Sequence, residues 1–143
     1  MHLKDRVAVV TGGDTGIGKA ISLAMAREGA SVVVDYHGDV APANALVEEI
    51  ENLGARAIAV SADVADPEQV ESLIAAAVNA YGGLDILVNN AGIEDKRPFL
   101  ETPFELFRKV IDINLGGVWS CTQAAAKQMV KQKRGGRIVN ISS

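Results

Sequence analysis

Five short apolar runs alternate along the chain with longer segments whose apolar residues recur every three or four positions. The runs lie at 7–10, 31–34, 57–60, 85–88 and 136–141. Short runs without polar alternation are typical of strands buried on both faces of a parallel sheet. The intervening segments have the period of an α-helix, as in Ile17, Ala20 and Ala24. They predict helices at 17–28, 42–53, 67–78 and 103–133, the last bent near 114–117.

Glycine and proline residues mark where these elements begin and end. Asp66-Pro67 is a typical helix start, because Asp66 can cap the free amides and Pro67 suits the first helical position. Gly29 and Gly54 follow two predicted helices, where glycine often ends the last turn. The element order is therefore βαβαβαβαβ, with no tight hairpin and no internal linker.

That order predicts the α/β fold class, with a doubly wound parallel sheet of the Rossmann type and helices on both faces. The expected strand order is 3-2-1-4-5, and residues 1–143 form one domain. We expect a sheet truncated after its fifth strand, whose free edge would need a partner.

Composition narrows the class of protein without indicating a function. The chain has 143 residues, 48% hydrophobic and 22% charged, which excludes a disordered tail or a fibre. The net charge of -4 predicts no nucleic-acid partner, and no apolar run reaches about 18 residues, so we expect no membrane span. The first residues lack the apolar stretch of a signal peptide, and the single cysteine, Cys121, favours a cytoplasmic protein. We assign no metal site.

A glycine-rich turn joins the first strand to the first helix, at the sheet edge where parallel sheets bind ligands. Gly12, Gly16 and Gly18 remove side chains there, so that a pyrophosphate can approach the backbone amides and the helix N-terminus. The spacing is G-x3-G-x-G rather than the common G-x-G-x-x-G, and no P-loop lysine follows. The alternative is a tight connection that binds nothing.

Polar residues end the second strand. An acidic residue such as Asp35 usually bonds ribose hydroxyls and selects NAD, although this side chain could also turn away from the groove. Tyr36 could cover the adenine or the ribose, and His37 could contact an extra phosphate or lie free in solvent. The choice between NAD and NADP stays open.

The third and fourth strands also end in polar residues. Asp63 could accept a hydrogen bond from an adenine amino group, or simply bond nearby backbone amides. Asn89 and Asn90 could tie neighbouring strands together or line the groove, with the structural role favoured for Asn89. Ala91 and Gly92 would permit close approach of a ring.

Two further positions carry candidate chemistry. Asn114, followed by two glycines, predicts an irregularity in the long helix, and from the residues alone it reads best as a satisfied core amide. Ser142 and Ser143 follow the fifth strand at the ligand edge, where a hydroxyl can donate to a substrate carbonyl or be an ordinary loop residue.

Together these motifs resemble the short-chain dehydrogenase/reductase family, across the whole chain. The resemblance implies that the catalytic residues are Asn114 and Ser143. It implies that the following residues bind NAD or NADP: Gly12, Thr15, Gly16, Ile17, Gly18, Tyr36, His37, Asp63, Val64, Asn90, Ala91 and Gly92. The stretch 89–94 and the residues after strand 2 look most like the glucose 1-dehydrogenase and 3-oxoacyl-acyl-carrier-protein reductase branches.

The resemblance implies hydride transfer between a nicotinamide cofactor and an alcohol or carbonyl substrate, such as glucose or a 3-oxoacyl group. In the family a tyrosine in a Tyr-x3-Lys motif moves the proton, the serine orients the substrate oxygen, and the asparagine helps hold a water. Neither Tyr36 nor Tyr81 is followed by such a lysine. We therefore expect residues 1–143 to be the N-terminal dinucleotide-binding part of a longer enzyme, and to be inactive alone.

Two other functions remain open, a non-catalytic dinucleotide-binding module and a doubly wound interaction domain. The family resemblance implies a homotetramer or dimer in the parent protein, with the helix at 103–133 in the interface. Trp119, Cys121 and Met129 belong either to that interface or to the core. The substrate itself is not specified by these residues.

Overall fold

Five strands form one parallel sheet in the computed structural model, which describes residues 1–143. The strands are β1 (Val7–Val10), β2 (Ser31–Tyr36), β3 (Arg56–Ser61), β4 (Ile86–Asn89) and β5 (Arg137–Asn140). Their order is β3-β2-β1-β4-β5, and all four pairings are parallel. The predicted fold class and strand order are confirmed.

Five α-helices connect the strands. They are α1 (Gly16–Arg27), α2 (Ala41–Asn52), α3 (Pro67–Tyr81), α4 (Phe104–Ile111) and α5 (Gly117–Gln132). The predicted start of α3 is confirmed, because the Asp66 side chain accepts a hydrogen bond from the Glu68 amide at 3.0 Å. A short 3-10 turn, Phe99–Glu101, precedes α4.

The long helix expected at 103–133 is interrupted rather than simply bent. A π-helical segment, Asp112–Gly116, separates α4 from α5. It overlaps the predicted irregularity at 114–117. In a π-helix the backbone hydrogen bonds join residues i and i+5 rather than i and i+4, and such segments are frequent at functional sites.

Strand β2 runs two residues further than its apolar run. Asp35 and Tyr36 pair with Val60 and Ser61 of β3. The carboxyl group of Asp35 is therefore carried inside the sheet rather than on a loop after it, and the residue is only 2% exposed.

Alternating strand residues feed two apolar layers, one on each face of the sheet. On one face Val9 and Leu87 pack with Leu73 of α3 and Cys121 of α5. On the other face the packing partners come from α1 and α2, among them Leu23, Leu46 and Ile50. Cys121 and Met129 thus belong to the core, whereas Trp119 is 64% exposed. Burial raises the pKa of the Cys121 thiol to about 12, so it stays protonated.

The amino edge of the sheet, where the strands begin, is fastened by one buried carboxylate. Asp85 accepts hydrogen bonds from the Val7 amide at 2.9 Å and from Arg134 at 2.9 and 3.2 Å. Arg6 adds an ion pair at 3.8 Å. These contacts join the starts of β1 and β4 to the turn before β5.

Candidate functional site

A cavity of about 210 Å³ lies at the carboxyl edge of the sheet, between the ends of β1 to β4. Its walls include these predicted cofactor residues: Gly12, His37, Asp63, Val64, Ala91 and Gly92. Thr15 occupies the N-cap position of α1 and residues 16–18 begin the helix, while Tyr36 ends β2 and Asn90 directly follows β4. The sequence positions singled out from four separate strand ends are thus brought to one edge.

Glycines in the turn between β1 and α1 allow a tight, left-handed backbone and a close packing of its two ends. Gly12 and Gly16 have φ of +55° and +53°, a region that favours glycine. A Cβ atom at Gly18 would collide with the carbonyl oxygen of Gly12 and lie 2.6 Å from the Asn90 amide nitrogen. Backbone amides are therefore exposed to close approach by a ligand.

The N-terminus of α1 is left open. Thr15 has the extended backbone of an N-cap, but its side chain accepts no capping hydrogen bond. No acidic residue lies in the first turn of the helix. The first amides and the positive end of the helix dipole are therefore free to bind an anionic group.

Thr11 and Asn90 fasten this turn to the end of β4. The Thr11 hydroxyl oxygen accepts hydrogen bonds from the amides of Asn90 and Ala91, both at 3.0 Å. The Asn90 side-chain amide donates to the carbonyl oxygens of Thr11 and Gly12 at 3.1 and 3.0 Å. Asn90 thus holds the glycine turn in place. Thr11 is a structural partner of that turn that was not among the residues predicted from the sequence.

Asp35 supports the same turn from β2. Its Oδ2 accepts a hydrogen bond from the Gly12 amide at 3.2 Å, and its carbonyl accepts one from Gly13 at 2.9 Å. Its Oδ1 is buried and has no hydrogen-bond partner. Burial, and then the charges of Asp14 and Asp63, raise the pKa of Asp35 to about 8, against a smaller lowering by nearby amides.

One carboxylate oxygen of Asp63 is hydrogen-bonded within its own loop. Its Oδ1 accepts a hydrogen bond from the Ala65 amide at 2.9 Å, and its own amide donates to the Gln69 side chain at 2.8 Å. The residue is partly exposed at the cavity wall beside buried Val64. Both interpretations of Asp63 therefore remain compatible with the geometry, and the adenine contact stays a prediction.

The π-helical segment presents Asn114 to the loop that follows β4. The Asn114 amide donates to the Ile93 carbonyl at 2.8 Å and accepts from the Ile93 amide at 2.8 Å. A Cβ atom at Gly92 would lie 3.3 Å from the Asn114 oxygen. Asn114 is exposed, so its interpretation as a core amide is wrong, although its hydrogen bonds are satisfied.

Asn89 joins the end of β4 to the end of β5. Its side-chain amide donates to Thr122 at 3.1 Å and to Asn140 at 2.9 Å, which fits its expected structural role. Its carbonyl accepts from the Ile141 amide at 3.0 Å. Ser143 is thereby carried to the carboxyl edge, but no hydrogen bond joins it to Asn114, and its catalytic role stays a prediction.

No group of three or more His, Cys, Asp or Glu side chains is arranged to hold a metal ion. No helix combines the length and apolar character needed to cross a membrane.

The chain was then compared with known proteins. A family profile described as short chain dehydrogenase matches residues 6–143. The L-rhamnose 1-dehydrogenase (NAD(P)(+)) of Sphingomonas sp. is 44% identical over 141 residues, which cover 99% of this chain and 56% of that protein. The 3-oxoacyl-[acyl-carrier-protein] reductase of Synechocystis sp. is 47% identical over 141 residues, covering 99% of this chain and 57% of the relative.

A solved structure also resembles the chain. A short chain dehydrogenase from Burkholderia cenocepacia, crystallised in complex with NADP, superposes with a TM-score of 0.94 at 40% identity. The match covers 100% of this chain and 57% of that one. The chain therefore spans somewhat more than half the length of the relatives that it matches.

Proposed function

This chain belongs to the short chain dehydrogenase family, and on that premise we propose that it binds NAD or NADP at the carboxyl edge of its sheet as part of an oxidoreductase. The observation that carries the proposal is the glycine-rich turn from Gly12 to Gly18, held by Asn90 beside an open helix N-terminus. Relatives that name NAD(P) or were crystallised with NADP support the choice of ligand.

The residues present fit such a cofactor. The pyrophosphate would bind the turn and the first amides of α1, since the first turn of that helix carries no acidic residue. Asp63 and Val64 would border the adenine, and Tyr36 and His37 would lie along the ribose side. The bound nicotinamide supplies the hydride chemistry, and the protein supplies binding and orientation.

The catalytic part of the proposal concerns Asn114 and Ser143. The Ser143 hydroxyl would donate a hydrogen bond to the substrate oxygen and so stabilise charge that develops there. Asn114 would position water near it, with its amide already held by Ile93. The substrate would be an alcohol or its carbonyl counterpart, of the sugar or 3-oxoacyl type that the relatives' names describe.

Proton transfer is the step for which these residues provide no group. Tyr36 ends β2, and Tyr81 ends α3 with its ring 5.0 Å from the Arg56 guanidinium, so neither belongs to the segment that carries Ser143. We therefore propose that residues 1–143 are the dinucleotide-binding part of a longer enzyme and that, alone, they bind cofactor without turnover.

The exposed surface of the last two helices bears on assembly. Large apolar side chains are exposed on and beside α4 and α5, including Phe104 (68%), Leu115 (63%) and Trp119 (64%). Exposed apolar surface of this kind favours a protein partner, and we propose a homo-oligomer, a tetramer or a dimer. The single cysteine, unpaired in the structure, favours the cytoplasm.

A binding titration tests the proposal. The protein should quench or shift the fluorescence of NADH or NADPH. Gly18→Ala should weaken binding at least tenfold, because the new methyl group would occupy the space of the Gly12 carbonyl. Gly54→Ala is the matched control. An alanine at the Gly54 φ of +82° would strain the backbone, but at the opposite edge of the sheet.

The outcomes separate the functions considered. A folded protein that binds neither dinucleotide would contradict the proposal and favour an interaction domain. Dehydrogenation of an alcohol by residues 1–143 alone would contradict the proposed lack of turnover. Circular dichroism confirms in each case that the variant is folded.

A further inference from the structure

One buried side-chain oxygen in the molecule lacks a hydrogen-bond partner, and it belongs to Asp35. The residue is 2% exposed, at the end of β2, and forms part of the wall of the carboxyl-edge cavity. Its other oxygen accepts the Gly12 amide at 3.2 Å. A buried carboxylate with an unbonded oxygen is costly, whereas a neutral carboxyl group in the same place is far less so.

The charges around Asp35 also oppose ionisation. Asp14, on the turn after β1, and Asp63, after β3, line the same cavity and are both acidic. From α5, the Cys121 thiol is protonated and contributes no positive charge. His37 is the one basic side chain in the cavity wall, which contains no lysine or arginine.

Neighbouring groups that could compensate are engaged elsewhere. The Ala62 amide lowers the pKa of Asp35 from nearby, but its best hydrogen bond goes to the Tyr36 carbonyl at 3.0 Å. At the end of β4, Asn90 spends its side-chain donors on Thr11 and Gly12.

We propose that Asp35 is a proton-binding positioning residue for the cofactor: as a neutral carboxyl group it holds the Gly12 amide and admits the dinucleotide, and as a carboxylate it repels the cofactor's phosphates. The inference rests on the proposed function. Binding then takes up a proton from solution, and cofactor affinity falls as the solution becomes alkaline. The direction agrees with burial raising the pKa of Asp35 to about 8.

Calorimetry in buffers of different ionisation enthalpy measures that proton directly. At pH 8 the wild-type protein should take up roughly half a proton per NADH bound, because about half of the free protein is then ionised at Asp35. Above pH 8 the affinity should fall by up to about tenfold per pH unit. Neither readout depends on catalytic activity.

Three variants sharpen the experiment. Asp35→Asn keeps a neutral group of the same shape, so it should bind NADH with no proton uptake and with an affinity independent of pH. Asp14→Asn should keep the uptake but move its midpoint to lower pH, since one like charge is removed. Glu71→Gln, an exposed carboxyl on α3, should behave as wild type.

Each outcome decides between the two proposals. If the folded wild-type protein binds no dinucleotide at any pH, the proposed function fails, and this inference with it. If binding occurs with equal proton uptake in wild type and Asp35→Asn, the inference fails and the proposed function stands. If Asp35→Asn does not fold, the midpoint shift in Asp14→Asn still decides, and an unshifted midpoint overturns the inference.

Discussion

The two edges of the sheet each hold a buried aspartate, and the two carboxyl groups have opposite surroundings. Asp85, at the amino edge, is 5% exposed and accepts three hydrogen bonds, two of them from Arg134. Asp35, at the carboxyl edge, is 2% exposed and accepts one, from the Gly12 amide. The same side chain is thus fully paired at one end of the strands and nearly unpaired at the other.

This difference distinguishes a structural edge from the edge at which we propose that the cofactor binds. The amino edge satisfies its charge internally, so it needs no ligand to be stable. The carboxyl edge leaves an orphan oxygen, open helix amides and a cavity, features that cost stability in the free protein. Burial predicts little about a carboxyl group until its partners are known.

The largest expected effect comes from removing the unpaired charge. The folded protein keeps the Asp35 proton to about pH 8, while the unfolded chain releases it near pH 4, so this group lowers stability as pH rises between those values. Asp35→Asn cannot titrate. The free energy of unfolding of Asp35→Asn, relative to that of the wild type, should therefore rise by about 4 kcal/mol between pH 4 and pH 7.

Urea denaturation of both proteins across that pH range measures the gain. The difference between the two proteins cancels the titration of all other groups. A difference that stays constant with pH would show that Asp35 is as well stabilised as Asp85, and the contrast between the edges would be lost.

The next effect is at the amino edge and has the opposite sign. Asp85→Ala removes the partner of Arg134 and the acceptor of the Val7 amide, and should cost about 3 kcal/mol. Arg6→Gln is the control, because Arg6 is 54% exposed and 3.8 Å away, and its loss should cost less than about 1 kcal/mol. Equal losses in the two variants in urea denaturation would contradict this account.

The smallest effect concerns how the carboxyl edge holds its glycine turn. Thr11→Val keeps the shape of the side chain but leaves the amides of Asn90 and Ala91 without their acceptor, at a cost of about 2 kcal/mol. Thr122→Val, which removes one of two acceptors of the Asn89 amide, should cost less. Thermal unfolding of both variants compares them, and a Thr122→Val loss as large as that of Thr11→Val would count against the role of Thr11.

The sequence predicts the fold well because its signals are local. Apolar runs and helical periods set the strands and helices, and the strand order follows from how parallel crossovers pack. Asp66 caps α3 as expected, since the Glu68 amide that donates to its side chain is two residues away. The elements and the cap depend only on neighbours along the chain, and the strand order follows from the order of those elements.

The contacts of the site residues are different, because their partners are distant in sequence. The Asp35 carboxyl meets Gly12, and the Asn114 amide meets Ile93, over separations of 23 and 21 residues. Periodicity carries no information about either pair. A polar residue at the end of an apolar run, such as Asp35, was the available signal, but it does not reveal which amide the side chain meets.

The two hydrogen bonds between Asn114 and Ile93, here called the clasp, divide the connection after β4 into two parts that differ in their tolerance of insertions. Residues 90–98 have no regular structure, and the clasp fixes them at their fourth position. Before the clasp, the chain is held by the glycine turn. After it, residues 94–98 carry mainly exposed charged side chains, and doubling such a free segment costs only about 0.6 kcal/mol in closure entropy. The chain can thus lengthen after Ile93 during evolution while the glycine turn that holds the residues before it keeps its shape.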